Sequence, residues 1–176
     1  MVLKLSLGLK RGQVVLEEHQ IEWDKYAQEL ILVLKGILKD DAISIEHVGS
    51  TSIPTIKAKP IVDIAVAVKN IDAISKFNNV LLSSGFIYRG GDVPNQLLYV
   101  VEDENNHDIV KAHIHVVEKN SKAWKNYLFF RDYLKSHDDI ANNYEALKVS
   151  LANKYQNSRK LYTKEKQAFI DKILVL

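Results

Sequence analysis

The sequence contains no cysteine, and only seven glycines and three prolines occur among its 176 residues. Without thiols, the chain can form no disulfide, thiolate metal site or cysteine nucleophile, and we expect a cytoplasmic protein. No linker rich in proline or glycine interrupts the chain, and no internal repeat is present. We therefore predict one domain over residues 1–176, which is long enough to bury a hydrophobic core.

Long apolar runs and a strong net charge are also lacking. No stretch approaches the roughly 18 apolar residues of a transmembrane helix, so we expect no membrane partner. Residues 1–9 are apolar, but Lys4 and Gly8 interrupt them and no small-residue cleavage site follows, so no signal peptide is predicted. A formal net charge of +2, without a run of Lys or Arg, argues against a nucleic-acid partner.

The sequence does contain a segment typical of a strand, a tight turn and a short helix, at residues 46–54. Gly49 allows a close turn, and three hydroxyl residues follow it: Ser50, Thr51 and Ser52. Backbone N–H groups and hydroxyls at the start of a helix can hold a phosphate. The alternative is that this turn only caps the helix, with Glu46 or His47 bonded to it.

Asp63 lies within an apolar strand predicted over residues 61–68. An ionised carboxylate in such surroundings needs a cation or hydrogen-bond donors, and a catalytic metal is one such partner. Because side chains alternate along a strand, Asp63 shares its face with Ile61, Ala65 and Ala67. Two of these three neighbours are alanines, which leaves room for a site. The alternative is that Asp63 accepts hydrogen bonds from the backbone.

A second alternating strand, predicted over residues 108–117, places His113 and His115 on one face. The opposite face is apolar and comprises Val110, Ala112, Ile114 and Val116. If these strands are neighbours in one sheet, Asp63 and both histidines line one cleft, with Glu46 at its edge. Such a set would bind one transition metal, because imidazole suits Zn²⁺ or Mn²⁺ better than Mg²⁺. Alternatively, the histidines are structural, or one is a general base or a phosphate contact.

The rest of the pattern predicts helices around a mixed sheet. Apolar residues recur at three- and four-residue spacing over residues 21–38, as in an amphipathic helix. Residues 70–85 predict another helix, and residues 86–101 predict a hairpin around residues 90–94. The chain beyond residue 118 is predicted to form helices capped by Ser121, Ser136 and Thr163. We expect the α/β (α+β) class, a mixed β-sheet with the C-terminal helices packed on it.

The segments EHVGST (residues 46–51), IP (residues 53–54) and AKPIVDI (residues 58–64) resemble the signature of the GrpB family. The segment HIHV (residues 113–116) resembles a further element of that family, and the likeness extends over residues 23–170. This resemblance implies membership of the nucleotidyltransferase superfamily, with its DNA polymerase β-like fold. The family also occurs fused to dephospho-CoA kinase.

By this resemblance, the protein would be a metal-dependent nucleotidyltransferase that acts on a small-molecule acceptor. Asp63 would be the catalytic metal ligand, the turn from Gly49 to Ser52 would hold the triphosphate, and Lys59 or Arg131 would neutralise phosphate charge. Strand alternation adds His113, His115 and Glu46 to Asp63 as ligands, and the metal would be Mg²⁺ or Mn²⁺, or Zn²⁺. The superfamily has a second acidic residue two positions after the first, and Ala65 stands there in this chain.

Other interpretations stay open from the sequence. The chain could be a catalytically silent module that binds a nucleotide, a coenzyme A-like ligand or another phosphorylated small molecule. It could also be a structural or partner-binding protein. Lys59 could pair with a carboxylate at the rim of the sheet, and Arg131 could pair with Asp132 or Glu145 rather than with substrate.

Overall fold

A mixed six-stranded sheet lies at the centre of the computed structural model, which describes residues 7–91 and 93–176. The strands are β1 (Leu9–Lys10), β2 (Ala42–Val48), β3 (Val62–Val68), β4 (Ile87–Gly90), β5 (Gln96–Glu102) and β6 (Ile109–Glu118). Their order is β2-β3-β6-β5-β4, and β1 pairs with β6. Only the β3–β6 pairing is parallel among these described strands. The predicted mixed sheet is confirmed.

Five α-helices surround this sheet in the described part of the chain: α1 (Ile21–Leu38), α2 (Asn78–Ser83), α3 (Lys122–Ser136), α4 (Asp138–Lys154) and α5 (Arg159–Ile173). Short 3₁₀-helices span Lys39–Asp41, Ser50–Ser52 and Ile71–Phe77. The predicted α/β class is therefore confirmed. None of the described helices is both long and apolar enough to cross a membrane.

The two faces of the sheet are covered by different helices. On one face, α1 buries its apolar stripe, including Trp23 and Leu34, against the large aliphatic residues of β3, such as Ile64. On the other face, Trp124 of α3 packs over Ala65 and its small neighbours. Of the C-terminal helices, α3 packs directly on this second face, and α4 and α5 pack against α3 around Phe130 and Leu134, so the predicted C-terminal helical layer is confirmed.

The register across three strands positions the site. Val48 of β2, Asp63 of β3 and His113 of β6 are side by side, and the next such row contains Glu46, Ala65 and His115. Residues paired across a sheet project to the same face, so the alternation predicted for these residues is confirmed. It failed at the start of β6, where a register shift opposite Val101 and Glu102 puts Val110 with Ile61.

Several local predictions were wrong. Residues 70–85 do not form one helix, although Asn70 caps the 3₁₀-helix that opens them by accepting the N–H of Asp72. Ser136 caps nothing, because its hydroxyl donates to carbonyls of the preceding turn of α3. Thr163 lies inside α5, which begins at Arg159. The prediction that Ser121 caps α3 is confirmed.

Two further predictions touch residues outside the described part of the chain. The absence of a signal peptide was inferred from residues 1–9, of which residues 1–6 are not described. The predicted hairpin of β4 and β5 is confirmed, and Asp92 of its loop is not among the described residues. Before α1, an isolated antiparallel bridge joins Glu17 to Ala58.

Candidate functional site

Asp63, His113 and His115 form a half-buried cluster on the small-residue face of the sheet. Oδ1 of Asp63 lies 3.2 Å from Nδ1 of His113 and 3.3 Å from Nε2 of His115. One ligand atom from each residue lies within 4.8 Å of the other two, which is close enough to hold one ion. The adjacency of β3 and β6 produces this cluster, because it places His113 beside Asp63 and His115 in the next row on the same face. In the chain, the two histidines follow Asp63 by 50 and 52 positions.

Burial and mutual contacts shift the pKa values of residues in this cluster. Burial by itself would raise the pKa of Asp63, but hydrogen bonds from His113 and His115 and their charges hold that pKa well below its ordinary value. Burial lowers the pKa of His113, and the nearby Asp63 only partly offsets that effect. An ionised carboxylate beside neutral imidazole is the protonation state that a metal ion requires of its ligands.

Each imidazole has a second partner behind it. Nδ1 of His115 lies 3.0 Å from Nε2 of Gln96, and Oε1 of Gln96 accepts a hydrogen bond of 3.1 Å from Tyr127. Nε2 of His113 lies 3.2 Å from Nη2 of Arg159. Such outer partners set the tautomer and the orientation of a histidine ligand.

The turn after β2 lies directly against this cluster. Gly49 has a φ of 70°, and a β-carbon at this position would come 2.6 Å from Oδ2 of Asp63. Only glycine therefore lets the backbone pass so close to the carboxylate. The predicted turn between a strand that ends at Val48 and a short helix is confirmed, the helix being a single 3₁₀ turn over Ser50–Ser52.

The three hydroxyl residues of the turn have different roles. The buried Ser52 donates to the carbonyl of Gly49 at 2.6 Å, and the buried Thr51 lies 2.9 Å from Nε2 of His47. These two side chains therefore hold the turn together. Ser50 contacts Tyr144 and borders cavities on both sides of Asp63, whereas Thr51 borders the smaller of them.

Glu46 and Arg131 are not part of the cluster. Oε2 of Glu46 accepts a hydrogen bond of 3.1 Å from Nη1 of Arg131, and Oε1 accepts one from Ser44. Arg131 also donates to Asp132 and to the carbonyl of His47, and it lines a separate hollow behind the turn. Glu46 thus lies in the row of Ala65 and His115, but its carboxylate is bonded to Arg131. Arg131 does not reach the cavities beside Asp63.

A small cationic cavity of about 180 Å³ lies on one side of Asp63. Among the described residues that line it, Asp63 is the sole carboxylate, and the cations are Lys59, Lys148, Arg159 and Lys166. One interpretation paired Lys59 with a rim carboxylate, but no carboxylate of residues 7–91 or 93–176 forms an ion pair with it. Its Nζ lies 5.4 Å from the centre of the Tyr162 ring. We call this cavity, with its four cations, the cationic pocket.

Burial governs the charge of these lysines. It lowers the pKa of Lys59 to about 7, with a further contribution from the nearby Lys166 and Arg159, and it lowers the pKa of Lys148 to about 7. It also lowers the pKa of Lys166. Lys148 is 1% exposed and donates to the carbonyl of Lys57. Crowded, desolvated cations are the arrangement that an oxyanion stabilises.

A larger cavity of about 420 Å³ lies on the other side of Asp63 and shares Ser50 and Lys166 with the cationic pocket. Its walls combine aromatic rings with side-chain amides. The aromatic residues are Tyr127, Phe130 and Tyr144, and the amides are Gln96, Asn126 and Gln167. An uncharged, flat group with several hydrogen-bonding edges fits such walls.

Sequence reasoning missed the residues that α4 and α5 contribute. Arg159, Tyr162 and Lys166 recur at three- and four-residue spacing, so a shared helix face was readable from the sequence. That spacing did not show that the face turns toward Asp63. Gln96 and Tyr127 could not be predicted as site residues, because isolated amides and tyrosines are common on strands and helices.

Ala65 stands where the superfamily has its second carboxylate, and its side chain is part of the hydrophobic core. Ala65 is fully buried and packs with Val48, Ala67, Val117 and Trp124. Its neighbour across the β3–β6 pairing is His115. The polar side chain that follows Asp63 on this face therefore comes from the adjacent strand and is an imidazole.

Residues 13–175 match the sequence model of the family described as GrpB protein. The chain is 36% identical over 172 residues to the glutamate-rich protein GrpB of Alkalihalophilus pseudofirmus, covering 96% of this chain and 98% of that protein. Its structure is similar to the crystal structure of the conserved protein GrpB from Enterococcus faecalis, with a TM-score of 0.83, 31% identity, and coverage of 92% and 95%.

A more distant likeness concerns the fold alone. The chain superimposes on the Cid1 poly(U) polymerase with MgATP bound, with a TM-score of 0.55, 18% identity, and coverage of 78% of this chain and 44% of that chain. The fold described above is therefore also that of a nucleotidyltransferase.

Proposed function

The chain belongs to the GrpB family, and from that premise we propose that it is a metal-dependent nucleotidyltransferase acting on a small-molecule acceptor, within one domain over residues 1–176. One observation carries the proposal. The ligand atoms of Asp63, His113 and His115 meet beside the Gly49 turn, between a cationic pocket and a larger aromatic cavity. The similarity of the fold to a nucleotidyltransferase supports the same conclusion.

The donor set fits one divalent ion. One carboxylate and two imidazoles suit Mn²⁺ or Zn²⁺, whereas Mg²⁺ prefers oxygen ligands alone. When bound, such an ion polarises a phosphoryl oxygen and offsets its charge. Asp63, His113 and His115 would hold it. We leave Glu46 out of the ligand set because its carboxylate is bonded to Arg131.

The residues around this set have the chemistry to orient a nucleotide. Lys59, Lys148, Arg159 and Lys166 would bind the oxygens of the triphosphate, together with the hydroxyl of Ser50 and the N–H groups of the turn. The aromatic cavity would hold the base or the acceptor. In the transfer, an acceptor hydroxyl oxygen would bond to the α-phosphorus and release its proton to solvent while the bond to pyrophosphate breaks. The cationic pocket would stabilise the charge on that leaving group.

One observation favours a second candidate, a binding module that has no catalytic activity. Two-metal transfer needs a second carboxylate, and Ala65 occupies its place beneath Trp124. The cationic pocket and the turn would then bind a nucleotide, a coenzyme A-like molecule or another phosphorylated metabolite without reaction. Arg131 would have no contact with the ligand in either candidate.

A panel of nucleoside triphosphates with Mg²⁺, Mn²⁺ or Zn²⁺ tests the proposal. We expect pyrophosphate release from at least one nucleotide in the presence of a suitable acceptor, and its loss in Asp63→Asn. Thermal shift in the same panel separates the candidates, because a ligand at a hundredfold its Kd adds about 2.7 kcal/mol to the free energy of unfolding. Binding without turnover would select the binding module, and no shift with any small molecule would favour a structural or partner-binding role.

A further inference from the structure

The contact between Arg159 and His113 determines where the proton of His113 lies. A guanidinium has only donors, so Nη2 of Arg159 donates to Nε2 of His113 across 3.2 Å, and Nε2 must carry a lone pair. A neutral imidazole then carries its proton on Nδ1. This N–H is directed at Oδ1 of Asp63, 3.2 Å away.

That tautomer opposes metal binding. Nδ1 is the nitrogen of His113 that faces Asp63, so it is the atom that would coordinate an ion held by both residues. Coordination requires a lone pair on Nδ1 and moves the proton to Nε2. The Nε2–H would then point at a donor of Arg159, and two donors would face each other without an acceptor.

His115 is under no such constraint. Gln96 presents its amide nitrogen to Nδ1 of His115 and its carbonyl oxygen to the hydroxyl of Tyr127. If the amide rotates by half a turn, the carbonyl accepts a hydrogen bond from Nδ1–H and the amide N–H donates to the tyrosine oxygen. Both hydrogen bonds persist, and Nε2 of His115 becomes free to coordinate. Of the two imidazoles, only that of His113 is bonded to a group, the guanidinium of Arg159, that cannot accept a hydrogen bond.

Arg159 also lines the cationic pocket, with Lys59, Lys148 and Lys166. An oxyanion in this pocket offers the guanidinium stronger acceptors than a neutral imidazole nitrogen. We propose that Arg159 couples the two sites: an oxyanion in the cationic pocket draws Arg159 from His113 and thereby raises the affinity of Asp63, His113 and His115 for a divalent metal. This inference rests on the proposed metal site and adds that the oxyanion and the metal ion strengthen each other's binding.

The coupling is measurable without turnover. Mn²⁺ binding is followed by the loss of the electron paramagnetic resonance signal of free Mn²⁺, with and without sulfate, at constant ionic strength. We expect sulfate to tighten Mn²⁺ binding at least about fivefold, within the roughly 5- to 150-fold range of coupling between sites. Because coupling is reciprocal, Mn²⁺ should tighten sulfate binding by the same factor, as measured by calorimetry.

A matched pair of variants separates the hydrogen bond from simple charge. Arg159→Gln and Lys166→Gln each remove one positive charge from the cationic pocket, but only Arg159 contacts His113. Glutamine at position 159 also offers an acceptor to Nε2–H. We expect Arg159→Gln to tighten Mn²⁺ binding without sulfate by at least about threefold more than Lys166→Gln does, and to abolish the sulfate effect.

The outcomes are distinguishable. Equal gains in Mn²⁺ affinity in the two variants would assign the effect to charge and overturn the role of Arg159. Mn²⁺ binding that depends on Asp63 but ignores sulfate would overturn the coupling and leave the proposed function standing. Mn²⁺ binding that is unchanged in Asp63→Asn would overturn the metal site and the coupling together. Circular dichroism and melting curves establish that each variant is folded.

Discussion

Gly49 lies so close to Asp63 that a β-carbon on residue 49 would come within 2.6 Å of the carboxylate oxygen Oδ2. The backbone of the turn is therefore one wall of the candidate site. The contact also ties the shape of the turn to the position of the carboxylate.

We expect Gly49→Ala to destabilise the protein and to weaken Mn²⁺ binding. The new methyl group would collide with Asp63, and the φ of 70° would cost about 1–3 kcal/mol for a residue with a β-carbon. Gly36→Ala is the matched control, because Gly36 lies in α1 with open space around it. That change should raise the free energy of unfolding by about 0.5–1 kcal/mol. Urea denaturation and Mn²⁺ titration measure both effects, and equal behaviour of the two variants would contradict the prediction.

The stability of the protein should fall on mild acidification because of His47. Burial lowers the pKa of His47 to about 4, with the nearby Asp24 acting in the opposite direction, so the unfolded chain binds this proton more readily than the folded chain. The contribution is complete above pH 6.5 and is lost as the pH falls toward 4, by up to about 3 kcal/mol. We expect His47→Gln to flatten this part of the pH profile of unfolding. An unchanged profile would show that another group titrates there.

Sulfate binding should weaken as the pH rises from about 7 to 9. The pKa values of Lys59 and Lys148 in the cationic pocket are lowered to about 7, so these amines lose charge over this range, while sulfate stays fully ionised. Lys166 also has a lowered pKa, and Asp63 remains ionised because its pKa is held well below the ordinary value. Calorimetry should show a steeper pH dependence for the wild type than for Lys59→Met. Binding that is independent of pH in the wild type would count against a role for these lysines.

Glu46 should be dispensable for metal binding. Its carboxylate is bonded to Arg131 and lies outside the cluster of ligand atoms, so we expect Glu46→Gln to change the Kd for Mn²⁺ by less than about twofold. Asp63→Asn should abolish the binding. Arg131→Met should instead lower the free energy of unfolding by about 1–3 kcal/mol, because acceptors of Glu46 and His47 lose their donor. A large loss of Mn²⁺ affinity in Glu46→Gln would return Glu46 to the ligand set.

Much of the site was predictable because a strand has a period of two. Alternation placed Asp63 on the small-residue face of β3 and His113 and His115 together on one face of β6, and the register of the sheet confirms these placements. The same rule failed for Val110, because a register shift moves it to the other face and local sequence does not mark that shift.

Contacts made by long side chains were not predictable in this way. Arg131 does pair with Asp132, as one interpretation held, but its contact with Glu46, 85 positions away in the chain, was not indicated by the sequence. Two predictions of helix caps were wrong for a similar reason. Ser136 and Thr163 have suitable side chains, but α4 and α5 begin at other residues. Where a helix begins depends on what its neighbours leave room for.

The sequence by itself determined the central strands, the faces of Asp63, His113 and His115, the glycine turn and the family. These follow from local periodicity and from residue types at adjacent positions. Only the tertiary structure decided which cations surround Asp63. Two C-terminal helices contribute Lys148, Arg159 and Lys166 to the cavity beside Asp63. Residue spacing shows which residues share a helix face, but it does not show the direction in which that face points. That direction is set by packing against Ile53, Phe130 and Tyr144, which lie far apart in the chain and meet only when the protein folds.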